Sequence, residues 1–133
     1  MTNLWLVGLL ALAGGLGAGA RFVLDGVIRQ RTVSALPLGT MTINLLGSLL
    51  LGIVTGLVGG VLLPAEAQFV LGTCLLGGFT TFSTASVEAV RLAERGRALS
   101  AAASAVLPLL GAVALAAIGL VLGALVATAF AGS

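Results

Sequence analysis

The chain has 133 residues, 59% of them hydrophobic and 8% charged, with six arginines against four acids and no histidine. A water-soluble domain carries about a quarter charged residues. At a mean hydropathy of +1.26 the solvent of this chain is therefore lipid, and its net charge of +2 is too small to indicate a nucleic-acid partner.

The arginines read instead as topology signals. One cysteine, Cys74, lies inside an apolar span, cannot form an internal disulfide, and is best read as a small packed thiol. With neither histidine nor a cysteine cluster, no transition-metal site is expected. The N-terminus lacks a basic segment ahead of its apolar stretch, so that stretch reads as a retained helix rather than a cleaved signal.

Four stretches carry no charge: 1–20, 32–65, 67–87 and 98–133. A spanning helix needs roughly 20 mostly apolar residues, so each can cross once. The expectation is an all-α membrane protein, a single four-helix transmembrane domain over 1–133, with helices near 4–24, 36–60, 66–92 and 98–128. No internal repeat or second domain is evident.

The first helix closes on Gly14-Gly15-Leu16-Gly17-Ala18-Gly19-Ala20-Arg21, small residues that permit close approach by a neighbour. Arg21 and Asp25 lie four apart and are placed to pair on one face. Arg21 reads equally as an interfacial anchor that snorkels to the headgroups. Ser34 and Pro37 announce the second helix as cap and early-turn proline. Along it Thr40, Asn44, Ser48, Gly52, Gly56 and Gly60 recur every four residues as one small and polar stripe. Asn44 stands out, because an amide in a membrane helix must find a partner. Its NH2 donates either to an anion or to a neighbouring helix.

Gly59-Gly60 and Pro64 make a turn into the third helix, where Glu66 favours the helix start. The middle of this span should be regular, yet residues 77–84 read Gly-Gly-Phe-Thr-Thr-Phe-Ser-Thr. Paired glycines weaken a helix and hydroxyls compete for its backbone bonds, so a break is expected here. In hydrocarbon a break survives only where protein or a polar cavity meets the freed backbone groups. A discontinuous membrane helix is also a common way to build an ion site. Glu88, Arg91, Glu94, Arg95 and Arg97 then form a solvated helix end. The fourth helix opens with Ser100 and Ser104 on one face, followed by Pro108, and carries a close-packing patch at Gly119 and Gly123.

Catalysis is not expected, since no embedded acid, histidine or lysine is present to act as acid, base or nucleophile. The same absence argues against a proton-coupled multidrug-type transporter. What remains is a set of neutral donors: Asn44, Thr80, Thr81, Ser83, Thr84, Ser100 and Ser104. Such donors suit a small dehydrated anion, and a phenylalanine ring edge also faces one favourably. Carbonyls released between Gly77 and Thr80 suit a monovalent cation. Spacing alone does not choose between the two.

Residues 77–84 resemble the signature of the CrcB/Fluc fluoride-channel family. Two further stretches agree: Gly14–Ala18 with Arg21, and Gly39-Thr40-Met41-Thr42-Ile43-Asn44-Leu45-Leu46-Gly47. The resemblance implies an antiparallel dimer of four-helix subunits in the inner (plasma) membrane, with narrow pores exporting fluoride passively. It also implies a structural sodium ion at the dimer centre, held by the backbone carbonyls of Gly77 and Thr80. On that pattern Asn44 and Phe82 line a pore and Arg21 lies near a vestibule; the neutral donors Thr81, Ser83 and Thr84, with Ser104 by register on the polar track, complete the expected fluoride-pore set.

The chain departs from that pattern in having Ala85 where a second pore phenylalanine is usual, and in having no tyrosine. A further departure is charge bias. The arginines lie on or beside the loops at 25–35 and 91–97, and none lies in the turn at 61–65. Such bias favours one orientation, with those loops cytoplasmic, whereas a dual-topology homodimer needs near balance. The expectation is a heterodimer with an oppositely oriented homologue, a homodimer being the alternative. A non-conducting structural partner subunit is the remaining reading.

Overall fold

Residues 4–34 and 36–132 are described in the computed structural model. Among them no strand occurs, and four helices are long and apolar enough to cross a membrane: α1 (Leu4–Arg31), α2 (Leu38–Gly59), α3 (Ala65–Glu94) and α4 (Ala98–Ala131).

Helix α1 runs past its expected end near 24 to Arg31. Asp25 and Arg29, one turn apart, bond through Nε at 2.8 Å, and Arg29 and Arg31 sit in the last turn, where cations oppose the helix dipole. Ser34 does not cap α2. Its hydroxyl accepts from the Leu36 amide at 3.1 Å, and Pro37 occupies the cap position. Helix α2 ends at Gly59 with Gly60 as its C-cap, and the chain turns through Val61 at a positive φ of 63°.

Helix α3 follows Pro64 with Glu66 in its first turn. It has a short α-helical start at Ala65–Ala67, then π-helix over Gln68–Leu76, then one turn at Gly77–Phe79. Thr80 and Thr81 are extended, and α-helix resumes over Phe82–Glu94. Gly96, at φ 72°, carries the chain into α4, which contains Pro108.

The most extensive helix pair is α2 with α4. It is built on interlocked glycines. A methyl at Gly52 would run into the Ala116 carbonyl, at Gly56 into Leu120, at Gly119 into Leu49 and at Gly123 into Ile53. Between helices in lipid there is no water to expel, so this close backbone contact, through dispersion, carries the association. Helix α1 meets the first half of α3 in the same way. Gly17 lies against the Leu75 carbonyl, and Gly78 lies against that of Gly14. The buried apolar side chains are few (Ala13, Ile43, Leu76, Phe79, Leu92 and Ala127), while large side chains such as Leu12, Phe22, Leu109 and Leu125 are exposed, as a lipid-facing surface requires.

A cavity at the interruption of α3

Thr80 adopts φ −80°, ψ 161° and Thr81 φ −152°, ψ 119°, so two residues in mid-span have left helical geometry. The Thr80 amide still donates to the Leu76 carbonyl at 2.9 Å, and its hydroxyl donates there too at 3.0 Å, finishing the first half. Thr81 is bonded from outside its own helix. Asn44 Nδ2 donates to the Thr81 carbonyl and the Thr81 amide donates to Asn44 Oδ1, both at 2.8 Å. One side-chain amide thus does for Thr81 what a neighbouring strand would do. The second half starts on the Thr81 hydroxyl, which accepts from the Thr84 amide at 3.3 Å and donates to the Thr84 hydroxyl at 3.1 Å.

These bonds redirect two particular amides. In an unbroken helix the Thr81 amide would bond the Gly77 carbonyl and the Thr84 amide that of Thr80. Here both donate elsewhere. Gly47 on α2 makes room for the interruption, since a methyl there would meet the Thr80 side chain and come within 3.3 Å of the Phe79 ring.

A cavity of about 630 Å³ opens beside the interruption, between α2, α3 and α4. Its polar walls are Asn44, Ser48, Gln68, Thr73, Thr80, Thr81, Ser86 and Ser104, and among the described residues no ionisable side chain lines it. Of the residues singled out from the sequence, Asn44, Gly77, Thr80, Thr81, Phe82 and Ser104 line it together, and Ala85 is on the same wall. Phe82 is 87% exposed, whereas Ser104 is buried and spends its hydroxyl proton on the Ala101 carbonyl at 2.9 Å. Ser83, Thr84, Ser100 and Arg21 are not on this wall. Ser83 and Thr84 instead surround the Thr81 hydroxyl.

Gln68, Thr73 and Ser86 are additions that the sequence did not single out. Gln68 Nε2 donates to the Thr55 hydroxyl at 3.2 Å, linking α3 to α2 at a second polar point. Gln68 in an otherwise apolar span was the available signal. At the other end of α3 the expected Arg21–Asp25 pair is not formed. Asp25 pairs with Arg29, which also bonds Glu88 of α3 through a terminal nitrogen at 2.6 Å.

Four spans, an interrupted helix and an uncharged cavity lined by hydrogen-bonding groups define a multi-pass membrane protein with an internal polar site, and no acid–base pair serves that site. Residues 8–120 match the family described as CrcB-like protein, Camphor Resistance (CrcB), and the chain belongs to that family. It is 52% identical over 115 residues to a protein named fluoride-specific ion channel FluC 1 from Leifsonia xyli subsp. xyli, covering 86% of this chain and 84% of that one. Over 94 residues it is 52% identical to fluoride-specific ion channel FluC 2 of Cutibacterium acnes (70% and 73% covered). Fluoride-specific ion channel FluC of Syntrophotalea carbinolica is 40% identical over 114 residues (85% and 93% covered). These relatives are named as ion channels, not as enzymes.

Proposed function

We propose that this chain is a subunit of a fluoride-selective channel that lowers cytoplasmic fluoride by passive export across the inner membrane. The observation that carries the reading is the cavity wall at the α3 interruption, built from neutral donors with no ionisable side chain. A dehydrated small anion has to recover its lost hydration from several protein donors at once. Asn44 keeps one amide hydrogen beyond its bond to Thr81, while the Thr80, Thr81, Ser86 and Ser104 hydroxyls, each donating to an acceptor within the chain, would have to turn from that acceptor to meet an anion. Lacking an embedded acid, the wall offers no proton-coupled cycle, which favours passive flow over antiport. The names of the relatives supply the ion.

The Gly77 and Thr80 carbonyls fit a structural sodium ion, because the amides that would otherwise bond them are engaged by Asn44 and the Thr81 hydroxyl. A bound sodium ion would fix a positive charge at the interruption, where the chain has none of its own. An antiparallel dimer would cover the open side of the cavity. Ala85 and the arginine bias support pairing with an oppositely oriented homologue, as does the existence of relatives numbered 1 and 2.

The test is efflux from liposomes holding the purified chain, with fluoride compared against chloride. Fluoride-selective flux from this chain alone, or only after addition of an oppositely oriented homologue, is the expected outcome, and the two cases separate self-pairing from heteromeric pairing. No fluoride flux in either preparation, from folded protein, overturns the reading.

A further inference from the structure

Resting on that reading, we infer that Arg29 is a positioning residue: it clasps the second half of α3 to α1 and so holds one wall of the cavity in place. The half Phe82–Glu94 has 13 residues yet buries only Leu92. It packs on α4 and touches α2 slightly, and its backbone has no close approach to α1. At its start it hangs from Thr81, whose backbone Asn44 grips, and the preceding residues are extended rather than helical. A segment held by few buried contacts and joined through a non-helical link is free to pivot unless its far side is tied.

Arg29 supplies that tie. Its Nε bonds Asp25 on its own helix at 2.8 Å, while a terminal nitrogen bonds Glu88 across to α3 at 2.6 Å. The two bonds use two nitrogens of one planar guanidinium, Nε and Nη2, which fixes its orientation in a way a single ammonium cannot. Glu88 is well covered, with 13% of its side chain exposed, and Asp25 has 27% exposed. Each keeps one oxygen buried without a partner, Asp25 Oδ1 and Glu88 Oε2, so removing the arginine would strand two carboxylates. The clasp also reaches α2. Gly39 packs so tightly on the Asp25 carboxylate that any side chain there would displace it. Phe82, Ala85, Ser86 and Ala89, all on the clasped half, line the cavity, so a pivot of this half changes its width.

The experiment places nitroxide labels at Val27 and Val90, both exposed, in a Cys74→Ala background reconstituted in lipid nanodiscs. Their distance distribution is read by pulsed EPR. A single narrow distribution is expected in the parent, and loss of it in R29A, in E88A and in G39A. A second label pair, at Leu12 and Leu71, spans the glycine-packed contact of α1 with the first half of α3 and should keep its distribution. R29K keeps the charge but not the two fixed donor nitrogens of the planar guanidinium, and should restore the distribution only in part. Fluoride-over-chloride selectivity should fall in R29A while assembly size and helix content are kept. Should a variant misfold, as helix content and the second label pair will reveal, the milder R29K carries the test. An unchanged first distance in folded R29A and E88A overturns the clasp. If every protein, the parent included, lacks fluoride flux, the channel reading fails while the label distances still decide the clasp.

Discussion

Asn44 carries two jobs that the sequence left as alternatives. Its carboxamide satisfies both backbone groups of Thr81 and also lines the cavity. Leaving a buried donor and acceptor unmade costs roughly 1–3 kcal/mol each. Asn44→Ala should therefore destabilise the folded chain by about 2–4 kcal/mol, read as a lower midpoint of thermal unfolding in detergent. Phe82→Ala is the contrast. At 87% exposure in the single chain it should leave that midpoint nearly unchanged while reducing fluoride flux. Equal stability losses from both would contradict the division. The choice of partner for Asp25 was illegible from spacing, because Arg21 and Arg29 are each four residues away. Glu88 is remote in sequence, and its approach settles the pairing on Arg29.

At the scale of elements, the four spans were legible because long uncharged stretches have few fates in any solvent. The stripe at every fourth residue of α2 was legible too, and its Gly52 and Gly56 meet Gly119 and Gly123 of α4. The π-helix at Gln68–Leu76 was not. Its wider turn shifts side chains by less than one residue per turn relative to an α-helix, and over nine residues of mostly apolar sequence that leaves no periodic mark. Yet this segment carries Gln68 and Thr73 onto the cavity wall. The glycine crossing yields a paired prediction. Gly119→Ala drives a methyl into the Leu49 carbonyl, backbone that cannot rotate away, and should destabilise by about 1–3 kcal/mol. Gly8→Ala, at an exposed site with nothing within 4 Å of the added carbon, should be neutral or stabilising by up to about 1 kcal/mol. Unfolding midpoints of the two variants, measured side by side, check it, and equal effects would mean the crossing is not a close-packed one.

For the whole molecule, the charge map follows the bundle. Arg29 and Arg31 end α1, Arg91, Arg95 and Arg97 surround the connection from α3 to α4, and the Arg29–Glu88 bond ties these two regions to one end. The turn after α2 carries no cation to oppose them. Basic residues near span ends resist translocation, so the arginine end should remain cytoplasmic. A reporter fused after Gly132, fluorescent only inside the cell or enzymatically active only outside it, should then report one orientation for the parent chain. Arg31, Arg95 and Arg97 make no ion pair among the described residues and are exposed, so replacing them with glutamine should disturb packing little. Combined with Leu62→Arg in the exposed turn, these changes should give both reporter signals from one population. If heteromeric pairing is what the bias enforces, this rebalanced chain should also form dimers without a second homologue, where the parent does not. A parent that already gives both signals equally would remove the case for an obligate partner, and Ala85 would then have to be compatible with a self-paired channel.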